Sequence, residues 1–343
     1  MAAPQVDTGA PGRGWPLVLR LAVLAIVLAV AVVAAIRLGA VSLSTGAVLD
    51  AIVGRGDPTQ VTIVRELRLP RALQAALVGA ALALSGTTFQ ALLRNPLAEP
   101  YVLGISSGAS VGAVITVVTG WSARTVWALP SAAFLGAIGA MLLVWRIALG
   151  VGRALDTRVL LLAGVVVSSF LVAVIWLVLT FADIEAVRSA IFWMMGSHAG
   201  ASWRSVATLG TCLAPSLVVL LALGRPLNLL AIGEPTAAYL GTSVERTKVV
   251  AFATATLLTA ASVSVSGSIG FVGLVVPHVV RLLWGNDHRG LIPCAALLGA
   301  AFLVGADTLA RTLAGATELP IGVVTAFVGV PFFVWLLRRP AAT

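Results

Sequence analysis

Arg65, Arg68 and Arg71 recur at three-residue intervals and crowd three arginines into one segment. Over a helical turn they make a basic stripe, and guanidinium forks pair bidentately with carboxylates. The chemistry they suit is the docking of an acidic partner; interfacial snorkelling is the purely structural account of the same residues. A second charged group lies far along the chain. Asp307 and Arg311 are four apart, on one helix face, and could pair, with Glu318 following in a loop. A third lies in the polar stretch 225–246, where Glu234 precedes Pro235, a good first helical residue with a carboxylate near the positive end.

Bond-making chemistry has no comparable support. His198, His278 and His288 have no partners at metal-ligand spacing, and Cys212 and Cys294 form neither a CxxC pair nor a disulfide framework. There is no HExxH and no carboxylate pair on a common face. Lys248 is the only lysine, flanked by Thr247 and Val249, so the Gly-Lys-Ser/Thr of a phosphate-binding loop is missing. The expectation is a chain with no catalytic residue, no metal and no cofactor of its own. ATP, if used, binds elsewhere.

The elements that position these groups follow from composition. Of 343 residues, 59% are hydrophobic and only 10% charged, with mean hydropathy +1.06. An average soluble domain is about 25% charged, so a soluble globule and a disordered chain are both excluded. The sequence pI of 11.3 raises the question of nucleic acid. The basic residues sit singly between apolar runs, however, which fits membrane topology and not nucleic-acid binding.

The apolar runs are long and continuous, which selects helices over barrel strands. Ten spans are expected, at residues 16–37, 69–93, 100–118, 125–149, 157–181, 204–223, 247–266, 269–284, 291–313 and 320–337. An even number puts both termini on one side, and a modest majority of basic residues places that side in the cytoplasm. Residues 1–15 read as a cytoplasmic tail without signal-peptide character. Residues 16–339 read as one transmembrane domain, with 38–66 an outer loop and 225–246 the longest inner one. Gly104, Gly108 and Gly112 recur every four residues, which permits close helix packing. Gly267, Gly270, Gly273 and Pro277 interrupt the eighth span, leaving a packed kink and a pathway-lining segment as alternatives.

At several of these residues the chain resembles the FecCD-type permeases of ABC importers. The matching stretches are Arg68-Leu-Pro-Arg71, Gly79-Ala-Ala-Leu-Ala-Leu-Ser-Gly86, Gln90-Ala-Leu-Leu-Arg-Asn-Pro-Leu-Ala-Glu-Pro100 and Trp193-Met-Met-Gly196. Others are Arg225-Pro-Leu-Asn-Leu-Leu-Ala-Ile-Gly-Glu234, Gly270-Phe-Val-Gly-Leu-Val-Val-Pro-His278, Asp287-His-Arg289 and Glu318-Leu-Pro-Ile-Gly322. The resemblance spans residues 16–339 and is specific for the family, not for a substrate.

What the resemblance implies is an all-α, polytopic type II importer permease in the bacterial cytoplasmic membrane. It would work as a homodimer, or a heterodimer with a related permease, with the translocation path at the dimer interface. Two ABC ATPase subunits, holding ATP and Mg, would sit below, and one extracytoplasmic binding protein above. By the same resemblance Arg68, Arg71 and Arg311 dock the binding protein. Asn95 and Leu97, with Thr157 and Arg158, form the cytoplasmic gate, although the vitamin B12 members have a small polar residue where Arg158 stands. Leu227, Leu230, Gly233, Glu234 and Gly241 belong to the coupling helices that meet the ATPase. Iron–siderophore is the first expectation for cargo because it is the family's commonest; corrinoid and haem follow. From other classes, an ion-coupled secondary transporter relying on Asp307 and a polytopic membrane enzyme are the alternatives.

Overall fold

The computed structural model describes residues 15–39, 42–151, 157–313 and 317–338. Residues 1–14 of the expected tail, and Arg339 at the expected end of the membrane domain, lie outside the described residues.

The described chain is all helical. Its α-helices are α1 (Leu17–Arg37), α2 (Thr45–Ile52), α3 (Pro58–Thr62), α4 (Leu69–Leu92), α5 (Ile105–Val118), α6 (Ala128–Val151), α7 (Thr157–Thr180) and α8 (Ile184–Met194). There follow α9 (Trp203–Ala222), α10 (Gly224–Ile232), α11 (Glu234–Tyr239), α12 (Val244–Ser266), α13 (Val272–Trp284), α14 (His288–Thr312) and α15 (Ile321–Leu337). Seven segments are long and apolar enough to cross a membrane, and α5, α13 and α15 supply three shorter apolar helices. The ten expected spans therefore correspond to elements of unequal length.

The fourteen residues of α5 reach only about 21 Å at 1.5 Å per residue, short of a hydrocarbon core of about 30 Å. Both α5 and α13 start inside the bundle after irregular backbone, and that backbone is satisfied there by side chains, as hydrocarbon requires. Glu99 Oε1 accepts the Phe271 N–H at 2.7 Å, and the Tyr101 hydroxyl both donates to the Ile269 carbonyl (2.9 Å) and accepts from its N–H (3.0 Å). The glycine-rich stretch is thus a true break, with α12 ending at Ser266 and α13 beginning at Val272. Its non-glycine Phe271 is held in the left-handed region at φ 67°.

The second expected span is longer than its composition suggests. Asp57 caps α3 by accepting from Thr59 and Gln60, Pro58 takes the first helical position, and a π-helical stretch (Ile63–Arg68) runs on into α4. Helix covers 58–92 without interruption. The expected outer loop 38–66 therefore contains α2, α3 and most of that π-helical turn. Gly54, Gly56 and Pro58 give these helices the composition of a loop.

Helix α4 is the core of the bundle, buried almost all round. Gly79 faces Gly299 of α14 so closely that a methyl group on either would enter the other's backbone, and a methyl group on Gly86 would likewise enter the backbone at Gly273 of α13. On α5, Gly108 and Gly112 meet Gly136 and Ala132 of α6 in the same way. Gly104 is not part of that face: it is the left-handed residue (φ 86°) that starts α5.

Candidate functional site

One face of the bundle carries a buried ion cluster built by α1, α4 and α14. Arg71 meets Asp307 through Nη2 and Oδ1 at 2.9 Å and through Nε at 3.1 Å, and grips Glu318 with a second pair of bonds at 2.9 and 3.0 Å. Asp307 is 1% exposed. The expected Asp307–Arg311 pair is present but looser, at 3.5 Å. Sequence spacing alone could not show that Arg71, 236 positions away, lies closer to that carboxylate.

Arg68 and Arg311 turn toward the end of α1. Arg68 Nη1 donates to the carbonyls of Ile36 (2.7 Å) and Arg37 (3.1 Å), and Arg311 Nη2 to that of Ala35. The last carbonyls of a helix have no partner within it and carry its partial negative charge, so guanidinium groups suit them. Both guanidinium groups crowd Gly39, where a side chain would collide with Arg68. The expected stripe is therefore divided: Arg65 is exposed, while Arg68 and Arg71 point inward. Arg68, Arg71 and Arg311 against Asp307 and Glu318 leave one net positive charge.

The opposite face carries the polar loops. The expected loop 225–246 consists of α10 and α11, hinged at Gly233 (φ 154°), with Gly241 (φ 82°) closing α11. Leu227 and Leu230 are buried and face the bundle, so they hold α10 in place and do not form its outer surface. That surface is Ile232, Tyr239 and Leu240, which are 70%, 92% and 56% exposed. Glu234 bonds Arg94 at 2.7 Å and Lys248 at 3.0 Å. Lys248 also reaches Glu245 at 3.4 Å.

Asn95 and Leu97 lie in the turn after α4, where Asn95 Oδ1 accepts the Leu97 N–H at 2.9 Å. Leu97 is half exposed. Thr157 opens α7, although its side chain lies outside the description, and Arg158 beside it is exposed. Arg94 and Lys248 were not among the expected site residues. Lys248 could have been found from its i,i+3 spacing to Glu245; no local pattern points to Arg94.

Asn228 ties α10 to the start of α14. It donates to Asp287 at 2.7 Å and accepts from the His288 N–H at 2.8 Å. Burial disfavours the charged form of Asp287, but the bonds from Asn228 and the Arg289 N–H hold its pKa below the ordinary value.

Comparison with known proteins assigns this architecture. The model of the FecCD transport family matches residues 27–339. The chain belongs to the FecCD transport family. This FecCD chain is 46% identical over 280 residues to the cobalamin import system permease protein BtuC of Halobacterium salinarum, covering 82% of this chain and 74% of that one. It is 43% identical over 283 residues to the vitamin B12 import system permease protein BtuC of Escherichia coli O157:H7, covering 82% and 86%. An uncharacterized ABC transporter permease protein of Bacillus subtilis, YvrB, is 43% identical over 289 residues, covering 84% and 82%. A solved structure described as an inward-facing conformation of a metal-chelate type ABC transporter superposes with TM-score 0.82 at 34% identity. It covers 92% of this chain and 98% of the other. The FecCD chain is accordingly a non-catalytic permease subunit of a binding-protein-dependent ABC importer, a multi-pass membrane protein with the type II importer fold.

Proposed function

We propose that the chain is the permease of a corrinoid importer. The observation that carries this is the identity of 46% and 43% to permeases named for cobalamin and vitamin B12 import. It displaces the iron–siderophore expectation, which rested only on how common that cargo is. Another metal chelate, siderophore or haem, is the second reading, favoured by the metal-chelate transporter of similar fold.

In this reading two copies of the chain, or one copy and a related permease, pair about the translocation path. The large exposed apolar residues Phe170, Trp176 and Phe181 on and after α7, and Phe327 on α15, supply apolar faces for such pairing. Both termini are cytoplasmic. The binding protein docks its acidic residues at the Arg68, Arg71 and Arg311 cluster, which retains one net positive charge and suits a negative partner. Two ATPase subunits, holding ATP and Mg, meet the surface of α10 and α11. The frame of that surface is Leu227, Leu230, Gly233, Glu234 and Gly241. Asn95, Leu97, Thr157 and Arg158 close the inner end of the path. Because the binding protein captures cargo, the path needs little affinity of its own, and weak binding lets cargo leave.

The test is uptake into proteoliposomes carrying permease and ATPase, with the cognate binding protein outside and ATP inside. Cobalamin is expected to be imported in preference to ferric siderophores and haem. Preference for either of the latter replaces the cargo assignment, and uptake that needs an ion gradient but no ATP rejects the importer reading altogether.

A further inference from the structure

Arg204 and Glu66 carry opposite charges on one side of the bundle. Among the described residues neither side chain has an ion-pair or hydrogen-bond partner. Both line one cavity of about 800 Å³. Helices α6 and α9 each pack on α12 and leave a groove between them, floored by Ala261, Ser264 and Val265. Trp127 and Trp203 stand at its mouth, and Phe134, Leu135 and Cys212 lie deeper. Nine residues separate Trp203 from Cys212 along α9, so the groove runs about 14 Å down the helix. Trp203 is fixed in place by its Nε1–H bond to the Arg65 carbonyl, 3.0 Å.

We propose that this groove holds one phospholipid with a zwitterionic, primary-ammonium headgroup, of the phosphatidylethanolamine class. The walls are apolar and half open, with Leu135 67% exposed and Trp127 and Trp203 47% and 43% exposed. Such exposure at membrane depth suits an acyl chain, and tryptophan marks the level of the headgroups. The rim supplies both charges that the headgroup needs. Arg204 donates to the phosphate through its planar fork, and Glu66 accepts from the ammonium. The two side chains do not pair with each other, and both line the same cavity, so each is left to bind one end of a headgroup. A primary ammonium brings N–H donors for charge-assisted bonds to Glu66, which a quaternary choline lacks. An anionic glycerol headgroup would meet Glu66 with no compensating cation.

The experiment is native mass spectrometry of the delipidated permease–ATPase complex titrated with phosphatidylethanolamine, phosphatidylcholine and phosphatidylglycerol. One ethanolamine lipid per permease is expected to bind about tenfold tighter than the others, the effect of one additional charge-assisted contact. Glu66→Gln removes the preference for ethanolamine over choline, and Arg204→Gln weakens all three lipids. Ser264→Phe fills the floor and displaces the lipid whatever its headgroup. Each variant is accepted only if its melting temperature and ATPase rate match the parent's. Equal binding of the three headgroups, tightest binding of phosphatidylglycerol, or an ethanolamine preference that survives Glu66→Gln overturns the proposal.

Discussion

Arg94, in the turn after the central helix α4, and Glu234, at the hinge between α10 and α11, are joined by an ion pair of 2.7 Å. It links the segment of the proposed inner gate to the proposed ATPase-facing helices. Glu234 also takes Lys248 of α12, so one carboxylate gathers three elements.

The Arg94–Glu234 bond is therefore expected to matter for coupling more than for folding. Both side chains are about a third or more exposed, and such pairs contribute about 0–1 kcal/mol to stability. Arg94→Ala should leave the melting temperature nearly unchanged while lowering cargo imported per ATP hydrolysed severalfold. Reversing the pair, Arg94→Glu with Glu234→Arg, should recover part of the loss. Unaltered stoichiometry in Arg94→Ala would show that the link carries no motion.

The outer cluster behaves differently, because its charges are buried. Removing Arg71 leaves buried Asp307 with only the looser Arg311 contact, and breaking a buried pair costs about 3–5 kcal/mol. Arg71→Ala should unfold well below the parent temperature in detergent, and so cannot by itself report on docking. Glu318→Gln is the cleaner probe: the Glu318 side chain is 45% exposed and competes for Arg71. Its loss should tighten binding-protein affinity severalfold at low salt, with the gain shrinking as salt is added. Weaker docking in Glu318→Gln would place the acidic partner elsewhere.

The elements read from sequence with the least loss are those whose apolar length alone defines them, such as α1, α12 and α14. Capping chemistry accounts for several misses. Asp57 and Asp183 start α3 and α8 by accepting backbone N–H groups, in stretches whose glycine, proline or polar residues suggest loops. Direction was a second difficulty. Leu227 and Leu230 sit in a mildly amphipathic segment, and only packing shows that both face inward. The site was least legible where it depends on distance in sequence: the Arg71–Asp307 bond and the lodging of Arg68 on the end of α1 have no local signature.

Close helix approach gives a prediction with an internal control. A methyl group at Gly79 would collide with the Gly299 backbone, whereas nothing lies within 4 Å of one at Gly139. Gly79→Ala must push α4 from α14, and overpacking of this kind costs about 1–3 kcal/mol. Gly139→Ala fills open space in a helix and should be neutral or stabilising by about 0.5–1 kcal/mol. Thermal unfolding of the two variants in the same detergent measures the contrast, and equal melting temperatures would contradict the α4–α14 packing.

The buried His198 predicts how stability responds to acid. It is fully buried between α8 and α9. Gln74 Nε2 lies 3.1 Å from its Nδ1; since Ser205 donates to the amide oxygen of Gln74, the amide nitrogen faces the ring and Nδ1 accepts. The imidazole is then neutral with its proton on Nε2, which has no partner among the described residues. Burial pushes its pKa down to about 4, with Asp307 pulling weakly upward and Arg71 downward. An unfolded histidine titrates near 6.5, so between about pH 6.5 and 4 the unfolded chain binds the additional proton. Stability therefore rises with pH across that window and is lost as pH falls through it. The loss from this one group between pH 7 and 5 is on the order of 2 kcal/mol. His198→Gln cannot take up that proton, so its melting temperature should fall less over the same interval than the parent's. Parallel pH profiles for the two proteins would mean that His198 takes up its proton at the same pH in the folded as in the unfolded chain, so that burial does not depress its pKa.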